Sequence, residues 1–194
     1  MKYVYTDGAC SNNGHHNASA GLGIYFGKND KRNTSKKIIG KQTNNIAELN
    51  AVKEAINLIQ NSDNYTIFTD SEYVIKCCTN YGEKQHKQNW TKNIPNKNLV
   101  KELYTLYNSY DNIKLDYIKA HTGKNDIHSI GNEMADKLAR QAVGKSDENR
   151  IYLNVAYENK DLAKHLGCRW DKSKKKWYTF SNNNKNDTIN KLFS

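Results

Sequence analysis

Strand-forming and helix-forming runs follow one another along the first 143 residues in an order that few folds accommodate. "KYVYTDG" has the aromatic and β-branched content of a strand. "SAGLGIYFG" and "KKIIGKQ" read as two more, with "KNDKRNTS" as the turn between them. "NIAELNAVKEAINLI" spaces Ala47, Ala51, Ala55, Leu58 and Ile59 along one face and predicts a helix over 45–59. "YTIFTD" is a strand ending at Asp70, and "SEYVIKCC" is a short helix behind a Ser71 cap. "NLVKELYTLYNSY" returns to helix, "IKLDYIKAH" to strand, and "SIGNEMADKLARQAVG" is a helix whose basic end suits its dipole. The polar, basic stretch "TNYGEKQHKQNWTKNIPNK" has weak periodicity and adds no element to this order. The order β-β-β-α-β-α-α-β-α predicts an α/β fold with a mixed five-stranded sheet flanked by helices, the hairpin strands antiparallel.

A charged linker, "KSDENR", follows Gly144 and sets the expected boundary at residues 144–150. Beyond it "IYLNVAY" reads as a strand, "ENKDLAKHLG" as a helix stopped by Gly167, "CRWDKSKKKWYTF" as a hairpin and "TINKLF" as a short helix. Residues 151–194 are thus expected to form a small α+β module, with Trp170, Trp177 and Tyr178 as core candidates and at least one of the two tryptophans in the core, beside a larger domain over 1–143.

Composition narrows the function classes. No apolar run approaches the roughly 20 residues a membrane span needs, which predicts a soluble, intracellular chain. The four cysteines, Cys10, Cys77, Cys78 and Cys168, show no CxxC pairing or zinc spacing and are expected to be reduced thiols. A net charge of +10 and a pI near 9.3 suit a polyanionic partner, because neutralising phosphates releases counterions. Gly21 to Gly23 give only a lone GxG inside a strand, which does not make a nucleotide-binding loop.

Four carboxylates fall where strands end or helices turn inward: Asp7, Glu48, Asp70 and Asp136. Half-buried carboxylates brought together repel one another unless protonated or neutralised. Hard oxygen donors of this kind suit Mg²⁺ or Mn²⁺, and two such ions about 4 Å apart can activate water and stabilise a leaving oxygen in phosphodiester cleavage.

"TDGACSNNG", "QTNNIAEL", "FTDSEYV" and "IKAHTG…GNEMADKLA", in that order over about residues 1–143, resemble the four successive signatures of the type 1 ribonuclease H family. The resemblance implies a ribonuclease H-like sheet. It also implies a metal-dependent endonuclease that cleaves the RNA strand of RNA–DNA hybrids by two Mg²⁺ ions, leaving 3′-hydroxyl and 5′-phosphate ends. Mn²⁺ is a candidate substitute, and no strong sequence preference is implied. It carries the metal-binding role onto Asp7, Glu48, Asp70 and Asp136, and the family's mobile histidine onto His121. His128, in the longer connection that follows, is expected to be a solvated loop residue. Cys10, Asn12, Asn13, Asn44 and Asn45 fall where the family lines the RNA strand. Contact with the 2′-hydroxyl is what separates RNA from DNA. Lys41, Thr43 and Asn96 match the positions that hold a DNA phosphate. The segment 81–97, with Tyr81 and Trp90 among its lysines, resembles the family's basic protrusion. The C-terminal "AKHLG", "RWD" and "KKWY" resemble a small module attached to nucleic-acid-processing proteins, with Arg169, Lys174, Lys175 and Lys176 as candidate backbone contacts. The expected partner is RNA–DNA hybrid, bound by a monomer with no obligate protein partner. The rival readings are a DNA-cutting nuclease of the same fold and a non-catalytic hybrid-binding protein.

Overall fold

The computed structural model describes residues 1–59, 63–120, 123–144, 150–171 and 174–193. They divide into two compact units, 1–143 and 144–194.

In the first unit, strands β1 (Lys2–Ser11), β2 (Ser19–Tyr25) and β3 (Thr34–Lys37) form an antiparallel meander, and β4 (Tyr65–Thr69) and β5 (Ile113–Tyr117) join parallel to β1. The sheet order is β3-β2-β1-β4-β5. Parallel neighbours need crossovers, supplied by helices α1 (Asn44–Leu58), α2 (Glu72–Cys78), α3 (Asn80–Lys87) and α4 (Lys97–Tyr107), and α5 (Ile127–Ala142) follows β5.

Side-chain size decides how close the helices come. α1 lays Ala47, Ala51 and Ala55 among Leu49, Val52 and Ile56, and all six are fully buried. A Cβ on Gly8 of β1 would lie 2.4 Å from the Glu48 amide nitrogen, so α1 rests directly on the strand backbone. α5 takes the opposite face. A Cβ on Gly23 of β2 would lie 2.1 Å from the Ala135 carbonyl oxygen. Both contacts exclude any larger residue at these two positions.

The sequence expectation differs in detail. The third strand spans 34–37 rather than "KKIIGKQ". The segment left without an element opens with helix α3, whose buried residues are Gly82 and Gln85. A helix that buries a glycine and an amide shows no apolar period, which is why its sequence does not announce it.

In the second unit β6 (Arg150–Leu153), β7 (Arg169–Asp171) and β8 (Lys176–Phe180) form an antiparallel sheet of order β6-β8-β7. A 3₁₀ turn over Tyr157–Asn159 leads into α6 (Lys160–His165), and α7 (Asn186–Phe193) closes the chain. Gly167, at φ +86°, adopts the left-handed conformation that ends α6. Leu153, Ala163, Leu166, Cys168, Ile189 and Phe193 form the core, with Trp177 packed against it. Of the two core-candidate tryptophans Trp177 packs there, whereas Trp170 lies on edge strand β7, 49% exposed. All four cysteines are free. Among the described residues no helix is long and apolar enough to cross a membrane.

Candidate active site

The register of the sheet sets two aspartates side by side. Parallel pairing of β1 with β4 runs from Lys2↔Tyr65 to Thr6↔Thr69 and stops, whereas β1 stays paired with β2 as far as Ser11↔Ser19. Asp7 and Asp70 are each the next residue beyond that last parallel pair. Their strand ends meet where β1 has one neighbour from the hairpin and one from the crossover, the crevice that open α/β sheets use for ligands. The register partners Tyr5 and Phe68 stack with ring centroids 5.5 Å apart, and Asp7 and Asp70, two residues further on, share that face.

The other two carboxylates arrive on helices. Glu48 comes with the close approach of α1 to Gly8. Asp136 follows Ala135, whose carbonyl covers Gly23, and Gly23 is the cross-strand partner of Asp7.

The electrostatics link all four. Asp7 is 9% exposed. Burial pushes its carboxyl well above the usual range, Asp70 and Asp136 push it further, and Glu48 adds the least. The Gly8 amide opposes this by donating to Oδ1 at 2.7 Å. Glu48 is raised chiefly by burial, with a contribution from Asp70. The Ser71 hydroxyl opposes it by donating to Oε2 at 2.5 Å. Asn44 Nδ2 donates to Oε1 of Glu48 at 2.6 Å. Asp136 accepts from Arg140 Nη1 at 3.2 Å.

This donor set fits a hard divalent cation: every candidate ligand is a carboxylate oxygen, and Asp7 is raised by three like charges. Among the described residues no three acidic, histidine or cysteine side chains already stand close enough to share one ion. Both Glu48 oxygens and one Asp136 oxygen accept from protein donors, which orients these carboxylates while leaving each oxygen a further lone pair. Ser71, which the sequence marks only as a helix cap, is a residue of this site through its bond to Glu48. Nothing in its local pattern separates that role from capping.

The remaining expected residues are placed as follows. His121 lies outside the described residues. His128 corrects the reading of a solvated loop. It sits in the first turn of α5, half-buried, with its ring 4.5 Å from Phe68 and 5.1 Å from Tyr3, and its Nδ1 3.2 Å from the Tyr5 hydroxyl. Cys10 is half-buried with its thiol toward the Ser11 carbonyl at 3.6 Å. Asn12 and Asn13 occupy the exposed turn after β1, where Asn12 has φ 50°. Asn13 Oδ1 accepts from the Asn44 amide at 3.3 Å, which ties that turn to the start of α1 beside exposed Asn45 and Lys41.

Thr43 caps α1, its hydroxyl accepting from the Ile46 amide. Asn96, in a left-handed conformation at the start of α4, lines an open cavity with Ile46, Asn93, Lys97, Asn98 and Leu99. Tyr81 lines a second cavity with Tyr73, Lys76, Asn80 and Lys84. Trp90 corrects the expectation of a surface aromatic. It is 5% exposed and packs edge-on to Tyr104 at 5.9 Å, because left-handed turns at Asn89 and Trp90 fold the chain back onto α4.

The sheet order and the helices on both faces place the first unit in the ribonuclease H-like class of α/β proteins. The chain belongs to the RNase H family, whose model matches residues 1–144. It is 36% identical over 151 residues to ribonuclease H1 of Mus musculus, an alignment covering 75% of this chain and 51% of that protein. With ribonuclease H of Orientia tsutsugamushi it shares 37% over 158 residues, 78% of this chain and 86% of that one. The chain therefore spans about half the length of the mammalian relatives it matches and most of the bacterial one. The solution structure of the PFV RNase H domain has the same fold, with a TM-score of 0.57 at 24% identity over 73% of this chain and 93% of that one. A second model, a domain of unknown function (DUF5710), matches residues 150–189.

Proposed function

We propose that this chain is a divalent-metal-dependent endonuclease that hydrolyses the RNA strand of RNA–DNA hybrids without strong sequence preference. The observation that carries the reading is the electrostatic linkage of Asp7, Glu48, Asp70 and Asp136 in a chain of the RNase H family. These four side chains would hold two Mg²⁺ ions, or Mn²⁺ in their place. When bound, the ions supply activation of water and neutralisation of charge on the leaving oxygen. Water adds to phosphorus, the bond to the 3′-oxygen breaks, and the products carry 3′-hydroxyl and 5′-phosphate ends.

The protein's own groups position and exclude. Asn44 and Ser71 fix the Glu48 carboxylate, and the sheet on one side and α5 on the other keep bulk water from Asp7. His121 serves proton transfer or product departure. Cys10, Asn12, Asn13, Asn44 and Asn45 face the RNA strand, where small groups and amides reach the 2′-hydroxyl. Lys41, Thr43 and Asn96 hold the DNA strand by its phosphates and Tyr81 packs along its deoxyribose, contacts that position without reading sequence. In the second unit Arg169, Lys174, Lys175 and Lys176 add a tethered nucleic-acid contact, which raises the effective concentration of substrate at the first unit. The working form is a monomer.

The test incubates labelled RNA–DNA hybrid, duplex RNA and duplex DNA with the protein, with and without Mg²⁺. Cleavage confined to the hybrid, dependent on Mg²⁺ and abolished by Asp70→Asn with binding retained, is the expected result. Equal cutting of duplex DNA would sink the hybrid reading.

A further inference from the structure

The second unit turns two unlike faces outward and inward. On one face Leu153 and Trp177 meet Ala163 of α6 and Ile189 and Phe193 of α7. Strand alternation sends the neighbouring residues to the opposite face, and the register assembles them there. Tyr152 pairs with Tyr178, Tyr178 with Arg169, Arg150 with Phe180, and Asp171 with Lys176.

The contacts agree with the register. Tyr152, Tyr178 and Phe180 form a row, with centroids 6.0 Å apart for the first pair and 5.4 Å for the second. Cations lie over the rings: Arg150 is 4.4 Å from the Tyr178 centroid, Lys174 4.5 Å from Tyr152 and Arg169 5.7 Å from Phe180. The acid of this face, Asp171, is satisfied within the fold. It accepts from Arg150 Nη1 at 2.7 Å, from the Tyr152 hydroxyl at 2.8 Å and from the Lys174 amide at 3.1 Å. Arg169, Lys174 and Lys176 are exposed, and among the described residues none of them is held in an ion pair. What remains on the surface is positive charge laid over half-buried aromatic rings.

We infer that this face of the β6-β8-β7 sheet binds single-stranded nucleic acid, with bases stacked on Tyr152 and Phe180 and phosphates held by Arg169, Lys174 and Lys176. The inference rests on the nucleic-acid reading of the second unit proposed above and deepens it by naming the ligand class and the surface. Charge complementarity selects a polyanion. The rings select an unpaired strand, because a base buried in a duplex stack cannot offer its flat face to a side chain. Arg150 is structural: it donates to Asp171 and lies over the Tyr178 ring, which stands edge-on to Phe180. Trp170 lies on the other face and takes no part.

The test uses the full chain in EDTA, so that cleavage cannot consume the ligand. A fluorescein-labelled oligothymidylate of about 12 nucleotides is followed by anisotropy against a duplex of the same length. Wild type is expected to prefer the single strand, with affinity falling as salt rises. Phe180→Leu, which keeps an apolar side chain, should weaken single-strand binding about 5- to 150-fold, the range for one lost stacked base. Arg169→Glu with Lys174→Glu should weaken it at least tenfold. Equal binding by wild type and both variants overturns the inference. Loss in the charge variant with none in Phe180→Leu overturns the stacking that defines it, and a preference for duplex overturns the ligand class.

Should a variant fail to fold, wild type cross-linked to a 5-iodouracil oligonucleotide gives a separate answer. Adducts on Tyr152 or Phe180 support the assignment, and adducts confined to residues 1–143 overturn it. Hybrid cleavage with Mg²⁺ is scored separately. Wild type that cuts hybrid while showing no single-strand binding at this face refutes this inference and leaves the nuclease reading standing.

Discussion

Asp7 and Asp171 are buried almost equally, 9% and 8% exposed, yet their surroundings are opposite. Asp171 meets a guanidinium, a phenol and an amide, so its charge is answered inside the fold. Asp7 has one amide, from Gly8, and three further carboxylates acting on it. A buried charge that is paired holds a structure in one arrangement. A buried charge surrounded by its own sign holds nothing unless a cation arrives, and it makes the apo fold less stable. Burial alone says nothing about function here; the sign of the neighbours does.

The contrast can be broken from both sides. The largest effect should fall on rate: Asp7→Asn is expected to lower Mg²⁺-dependent hybrid cleavage on the order of 10⁴-fold, about 5.5 kcal/mol of barrier, in single-turnover assays. Unimpaired cleavage would remove Asp7 from the site. Asp171→Ala should remove the buried carboxylate that Arg150, the Tyr152 hydroxyl and the Lys174 amide share and destabilise the second unit by about 3–5 kcal/mol. Hydrogen exchange across 150–180 reads this directly, and unchanged protection would show the pair to be idle.

Asp7→Asn should act in the opposite direction on stability. A carboxyl whose folded pKa is raised contributes stability that is complete below its unfolded value of 3.8 and is lost as pH climbs through the folded one. In a chelator, wild type should therefore be less stable than Asp7→Asn at pH 7, with the two curves converging below about pH 4. Thermal melts across pH give the answer, and a variant less stable than wild type at pH 7 contradicts the repulsion. Mg²⁺ should raise the wild-type melting temperature more than the variant's. The smallest effect is assigned to Arg140→Ala, which removes a partly exposed i, i+4 partner of Asp136 and should cost no more than about 0.5 kcal/mol in urea titration. A larger loss would mean that Arg140 offsets the carboxylate repulsion.

Much of the fold is legible in the chain because its elements obey simple periods. β1 and β4 are aromatic and β-branched, α1 repeats alanine on its buried face, and Ser71 caps α2 as its position suggests. Failures occur where burial involves polar or aromatic groups. α3 buries Gly82 and Gln85, so its period is silent. Trp90 reads as a surface aromatic among lysines and is buried by two left-handed residues that no period foretells. Trp170 reads as a core candidate and is exposed, because an edge strand has a neighbour on only one side. His128 reads as solvated and is enclosed by Tyr3, Tyr5 and Phe68, three residues more than 55 positions away.

The four acidic positions and the family signatures around them are properties of the sequence, since each depends on residue type and local spacing. That Asp7 and Asp70 become neighbours depends on a β1–β4 register closed across the 62 positions between them. Two glycines let α1 and α5 settle against the strands and bring Glu48 and Asp136 within electrostatic reach. The same holds for the aromatic face of the second unit: strand alternation is written in the chain, but which side the helices cover is decided only when the core closes. Local order follows from short-range sterics and hydrogen bonding, whereas charge repulsion and ring stacking depend on distances that only packing sets.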